Sequence, residues 1–200
     1  ISETLRRHGT DKPNKGIREC AAEARKTFLD ADFRAKALSA FELWMNDKGP
    51  EAAGLILSLG PETIPGLVDL FSKDEAVGGR RIVFNLLCQF GDKAVLEAHT
   101  RLRDARPYFI RNLLLLIRRV GTPSSTPQVK QLLRHKDPTV RMEALSTLLK
   151  FKDAGATKLL REALRSEDPD VASQAVGLAG QYRVQEVTTD ILARIKRVIL

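Results

Sequence analysis

Five large apolar residues recur along the chain at nearly constant spacing: Leu59, Phe90, Val120, Phe151 and Tyr182, separated by 31, 30, 31 and 31 residues. A chain with such a period folds as stacked units, each burying its apolar face only against its neighbours. The hydrophobic fraction of 43% is enough for a continuous core, and aromatics are scarce at 6% while Leu and Ala dominate. That composition suits close helix–helix packing, so the period predicts an all-α protein of the α-solenoid kind.

The clearest unit runs over residues 125–152. Val129, Leu132 and Leu133 give a short helical pattern, and Lys136-Asp137-Pro138 follows as a turn. Asp is suited to cap the next helix and Pro to begin it. Val140, Ala144, Leu145, Leu148 and Phe151 then mark one apolar face. The next unit repeats this 31 residues on, with Asp168-Pro169 and then Val171, Ala175, Val176, Ala179 and Tyr182. Upstream, Phe109, Leu113, Leu114, Ile117 and Val120 form one set, and Val83, Phe84, Leu87 and Phe90 another. Gly60, Gly91 and Gly121 directly follow the marker residue, where a helix end favours left-handed backbone. The pattern predicts helix pairs near 33–59, 62–90, 93–120, 125–151 and 155–182, with a further helix from about 186. Leu87, Leu114, Leu145 and Leu148 fall on the stripes expected to be fully buried.

The stretch Asp137-Pro138-Thr139-Val140-Arg141-Met142-Glu143-Ala144 resembles the motif of HEAT repeats. Asp168-Pro169-Asp170-Val171-Ala172-Ser173-Gln174-Ala175 is its partial echo. The closest form is the short bacterial repeat of about 30 residues, also found in phycobilisome-lyase-type proteins. The resemblance covers 60–197 well and 33–59 more loosely. It implies a HEAT-like superhelix of about five to six antiparallel helix pairs, with second helices lining a concave surface. It also implies an Asp–Arg ladder between adjacent repeats. Arg80 and Arg141 occupy its Arg column, but Ile110 and Ala172 replace it elsewhere, so the ladder is expected to be incomplete.

Residues 1–16, with Gly9, Pro13 and Gly16, have no period and read as a linker. Residues 17–200 read as the repeat domain, opened by a capping helix over 17–29. The chain closes on an apolar pattern through Ile191, Ile195 and Val198. A terminal repeat without a polar cap exposes its core face, so the expectation is a domain truncated at its C-terminal end that self-associates there. No apolar run approaches the roughly 18–20 residues needed to span a bilayer, and no signal-peptide pattern opens the chain. Cys20 and Cys88 lack zinc-site spacing, and Cys88 reads as a small buried thiol. The expected setting is a reducing cytoplasm.

The net charge of +8 is concentrated: residues 73–150 hold 15 basic and 7 acidic side chains. Six arginines lie within 101–119 against one acid, Asp104. Arg81 and Arg111 share one repeat column, and Arg119 and Lys150 another. With Arg80 and Arg118 they form the candidate partner-binding face, expected to be concave and basic; the alternative is a solvated face with salt bridges between repeats. Nothing comparable marks a catalytic centre. His8, His99 and His135 lie apart, no phosphate loop or nucleophile elbow occurs, and Asp137, Asp168 and Asp170 read as helix caps. HEAT-like DNA glycosylases use Trp, Asp and Arg around a lesion. Here Trp44 lies outside the basic region and reads as core or inter-helix packing beside Phe41 and Met45. Bilin lyases share the repeat form, but no tetrapyrrole pocket is marked. The expected role is a non-enzymatic scaffold, without cofactor or metal, for a protein partner with an acidic surface. The alternative is nucleic-acid binding through the same repeats.

Overall fold

The computed structural model describes residues 30–47, 49–73 and 77–199, together with residues 16, 19, 20, 23 and 26. Most of the predicted linker and N-terminal cap, and the side chain of Val198, lie outside the described residues. Among the described residues all regular structure is helical: eleven α-helices and four short 3-10 segments. The chain divides into two compact units, Ile1–Ala94 and Val95–Leu200. No single described helix is long and apolar enough to cross a membrane.

The first unit holds α1 (Ala31–Trp44), α2 (Gly49–Leu59), α3 (Ile64–Phe71) and α4 (Val77–Phe90). Asp30 caps α1, its carboxylate accepting from the Asp32 N–H at 2.9 Å. Consecutive helices pair, and the pairs stack with α1 on α3 and α2 on α4. Phe41, Ile56, Leu67, Phe71, Leu86 and Leu87 fill the core. Two expectations are corrected here. Trp44 is not packed in the core but 57% exposed, beside Leu43 at 75%. Ala37, Phe41 and Met45, four residues apart, form the buried stripe of α1, and Trp44 lies about 100° round the helix from Met45. Cys88 is half-buried rather than buried, because Leu87 takes the inward position on α4.

The boundary between units falls inside α5 (Asp92–Arg101). The second unit continues with α6 (Pro107–Val120), α7 (Thr126–Gln131), α8 (Pro138–Lys150), α9 (Ala156–Leu164), α10 (Pro169–Tyr182) and α11 (Thr188–Ile199). Here α8 packs between α6 and α10 and also against α7 and α9, while α9 packs on α10 and α11. Surrounded in this way, α8 buries eight of its residues, among them Leu145 and Leu148; Leu87 and Leu114 are also buried, as predicted.

The Asp-Pro turns start their helices as the sequence indicates. Asp137 Oδ1 accepts from the Thr139 N–H at 2.8 Å and Thr139 Oγ1 at 2.6 Å. Asp168 Oδ1 accepts from the Asp170 N–H at 2.9 Å. Asp170 is therefore not a cap; it sits in the first turn of α10. The Asp–Arg ladder does not form at Arg141, whose guanidinium donates to the carbonyls of His135 at 2.8 Å and Lys136 at 2.9 Å in its own turn.

The position after the marker residue is left-handed in four repeats, with φ of 89° at Gly60, 57° at Gly91, 55° at Lys152 and 52° at Arg183. Gly121 departs from the prediction: its φ of −74° and ψ of 174° are extended. A second column keeps the period without slippage. Thr63, Ala94, Ser125, Ala156 and Val187 are each 31 residues apart and all at most 1% exposed. These small and medium residues sit where each pair's first helix begins, and their size sets how closely the turn approaches the core.

The turn between α5 and α6 is closed by Asp104 and Arg106. One carboxylate oxygen accepts from the Arg106 N–H at 2.8 Å and its Nε at 2.9 Å, and the other from Nη2 at 2.8 Å. The Arg106 guanidinium also lies 5.0 Å from the Phe109 ring centroid. The Arg106 side-chain hydrogen bonds hold Asp104 at about 2, against an ordinary 3.8. A carboxyl lowered on folding adds its stabilisation fully above its unfolded value and loses it as pH falls through the folded one. A carboxyl NMR titration of Asp104 should therefore show a midpoint near 2, and Arg106→Ala should move it up towards the ordinary value.

Candidate functional site

The amphipathic pattern of α6 decides which arginines face outward. Phe109, Ile110, Leu113, Leu114, Leu116 and Ile117 are buried, which leaves Arg111, Leu115 and Arg119 at four-residue intervals on the exposed side. Leu115 is 39% exposed between the two cations. The arginine-rich segment is less free than its count suggests. Arg101 pairs with Glu97 at 3.0 Å, Arg106 with Asp104, and Arg118 with Glu143 of α8 at 2.5 Å. Arg103, Arg111 and Arg119 are exposed and make no ion pair or hydrogen bond among the described residues, and the same holds for Lys150 at the end of α8.

Arg80 and Arg81 belong to the other unit, on α4, half-buried and exposed respectively. The remaining four predicted residues, Arg111, Arg118, Arg119 and Lys150, lie in Val95–Leu200. That unit contains 19 basic and 11 acidic side chains, so it alone accounts for the net charge of +8.

Arg111 and Arg118 meet in a groove of about 410 Å³ across α6, α8 and α10, which Glu143, Ser146, Gln174 and Gly177 also line. Repeat register explains the hollow. Leu115, Ser146 and Gly177 occupy one column at 31-residue spacing, and the side chain shrinks from leucine to serine to none. A Cβ built on Gly177 would meet nothing within 4 Å, so the groove is open above α10. Its floor is polar. Arg118 Nη1 donates to Ser146 Oγ at 2.5 Å, and Ser146 Oγ lies 3.0 Å from the Tyr182 hydroxyl, tying the three second helices together. Neither Ser146 nor Gly177 stands out by residue type; reading the Leu115 column forward by the repeat period identifies both.

A second hollow, of about 370 Å³ beside Arg165, Asp190 and Arg194, is held by a charge clasp. Asp190 accepts from Arg161 Nε and Arg165 Nη2, both at 2.8 Å, while Arg161 also donates to the Glu186 carbonyl at 2.9 Å. The Arg161 hydrogen bond keeps the Asp190 carboxyl below its ordinary range. Arg194 is likewise engaged, donating to the Ser166 carbonyl at 2.8 Å. Outside this clasp, Leu192 and Ile195 are exposed on α11 at 53% and 47%.

Among the described residues the two histidines lie apart. His99 lies in α5, and His135 accepts the Asp137 N–H at 3.1 Å in the turn before α8. Among the described residues, no three His, Cys, Asp or Glu side chains come together to hold a metal ion.

No curated protein matches the chain. The family model for HEAT repeats matches residues 97–180, the stretch from α5 through α10 that forms the groove. Antiparallel pairs at a 31-residue period, Asp-Pro starts at α8 and α10 and the family match agree that residues 97–180 are similar to HEAT repeats.

Proposed function

We propose that the protein is a non-enzymatic scaffold that binds an acidic segment of a partner protein on the outward face of α6 and α8. The carrying observation is that Arg111 and Arg119 are exposed on α6 and, like Lys150 on the neighbouring helix, have no partner among the described residues. Nearby Arg101, Arg106 and Arg118 each have a carboxylate partner. Cations left without internal partners on a packed surface favour an external anion. A protein carboxylate is preferred over a phosphate backbone because Arg111 and Arg119 flank an exposed leucine, and Arg111 also lines a groove with two glutamines, Gln174 and Gln181. That mixed surface suits a peptide with apolar and amide-bonding groups. A cytoplasmic setting is part of the proposal, on two cysteines without pairing or metal-site spacing.

The test is fluorescence titration with a labelled Glu-rich peptide and, separately, a 20-base-pair duplex DNA. The peptide should bind saturably, and Arg111→Glu with Arg119→Glu should weaken it by about tenfold. Lys158→Glu with Lys196→Glu, a charge reversal of the same size on the exposed sides of α9 and α11, is the control and should change affinity by less than about twofold. Equal losses in both variants would mean that only net charge matters and would overturn the assignment. DNA binding tighter than the peptide's, with a steep fall of log affinity on log salt, would replace it with the nucleic-acid reading.

A further inference from the structure

We infer that Arg111 and Arg118 form a two-arginine clamp for a partner carboxylate, and that Glu143 is an internal carboxylate occupying Arg118 until the partner displaces it. The inference rests on the acidic-partner reading and names the position at which that partner is read.

Both arginines line the same groove. Seven residues apart on α6, they stand two turns from each other, within about 20° of the same face. Arg111 has no partner among the described residues, whereas Arg118 faces Glu143 at 2.5 Å. That contact is incomplete in a specific way. Glu143 Oε1 is shielded from solvent yet has no aligned hydrogen bond, although the Arg118 nitrogen lies against it. The aligned donor interaction of Arg118 goes instead to Ser146 Oγ, which Tyr182 backs from α10. The pair is thus Coulombic and lacks the forked geometry that makes an arginine–carboxylate bond strong.

An incoming carboxylate that took both guanidinium nitrogens would exchange a poorly aligned internal acid for a well-aligned external one. Glu143 would turn to water, and its side chain is already 22% exposed. Ser146 and Tyr182 would keep Arg118 in place during the exchange. Glu143 therefore sets a threshold: a single dispersed negative charge does not displace it, whereas a peptide with several acidic residues does. The open position over Gly177 leaves room for the peptide backbone.

A purely structural ion pair predicts the opposite response to its removal. In the full chain, Glu143→Gln keeps the side chain's shape and frees Arg118. Labelled hexaglutamate should then bind about fivefold more tightly than to the unmodified chain. Glu162→Gln, which also adds one positive charge but on the exposed side of α9, should change affinity by less than about 1.5-fold. Arg118→Gln in the Glu143→Gln background should remove the whole increase. Circular dichroism melts of each variant report whether the fold is intact. Unchanged or weaker binding by a folded Glu143→Gln variant, while the unmodified chain binds and Arg111→Gln weakens it, would overturn the clamp and leave the acidic-partner reading standing. No hexaglutamate binding by either the unmodified chain or Glu143→Gln would overturn both.

Discussion

Leu145→Ala is expected to destabilise the second unit by about 3 kcal/mol, within the 2–5 kcal/mol typical of a buried leucine cut back to alanine. The size follows from where α8 sits. It packs against α6, α7, α9 and α10, and Leu145 is 3% exposed at the middle of that arrangement. Rigid neighbours on several sides relax poorly into a cavity, so the lost contacts are not recovered. For a unit of this size the loss should lower the melting temperature by more than about 10 °C. Leu115→Ala provides the contrast. The same substitution on α6, at a side chain 39% exposed, should cost well under 1 kcal/mol. In a stacked architecture stability is a sum of repeat and neighbour terms, so the Leu145→Ala defect should spread chiefly to the repeats adjoining α8. Hydrogen exchange should show lost protection in α6, α8 and α10. A melt unchanged by Leu145→Ala would contradict the register of the whole unit.

That register was readable because it depends on local chemistry repeated at a fixed interval. Asp137 and Asp168 cap helices through their own backbone neighbours, and a Pro follows each, so both starts are visible within four residues of sequence. The apolar columns through Leu114, Leu145 and Leu148 need only helical geometry and the period. What escaped the sequence depends on direction and on distant partners. Trp44 and Met45 are adjacent, and only the packing of α1 shows which one turns inward. Arg118 and Arg119 are likewise adjacent, yet one step of about 100° sends the first towards Glu143 and leaves the second in solvent. The acid that occupies Arg118 lies in the next repeat, 25 positions along the chain. Charge counted along a segment therefore overstates the free basic surface, and half of the arginines within 101–119 are already paired.

The position after the marker residue combines both kinds of information. A glycine there is readily attributed to left-handed backbone, and at Gly91 the φ of 57° agrees. At Gly121 the reason is different. Its backbone is extended, which any residue adopts, and its N–H donates to the Ile117 carbonyl at 2.7 Å as α6 ends. A Cβ at this position would lie 2.5 Å from that same carbonyl oxygen and 3.3 Å from Ser125 Oγ. The oxygen belongs to the helix and cannot rotate away, while Ser125 is a member of the buried 31-residue column. Gly121→Ala should therefore cost about 2 kcal/mol through steric displacement of the α6–α7 turn. The aligned positions Lys152 and Arg183 respond in the other direction. Each holds a side chain at a positive φ, 55° and 52°, so Lys152→Gly relieves a left-handed penalty. That relief, of about 1 kcal/mol, is partly offset by the greater freedom of an unfolded glycine. Chemical denaturation of the two variants should give shifts of opposite sign, with the Gly121→Ala loss the larger. A neutral Gly121→Ala would show that the turn after α6 yields easily, and that the glycine is not needed there for space.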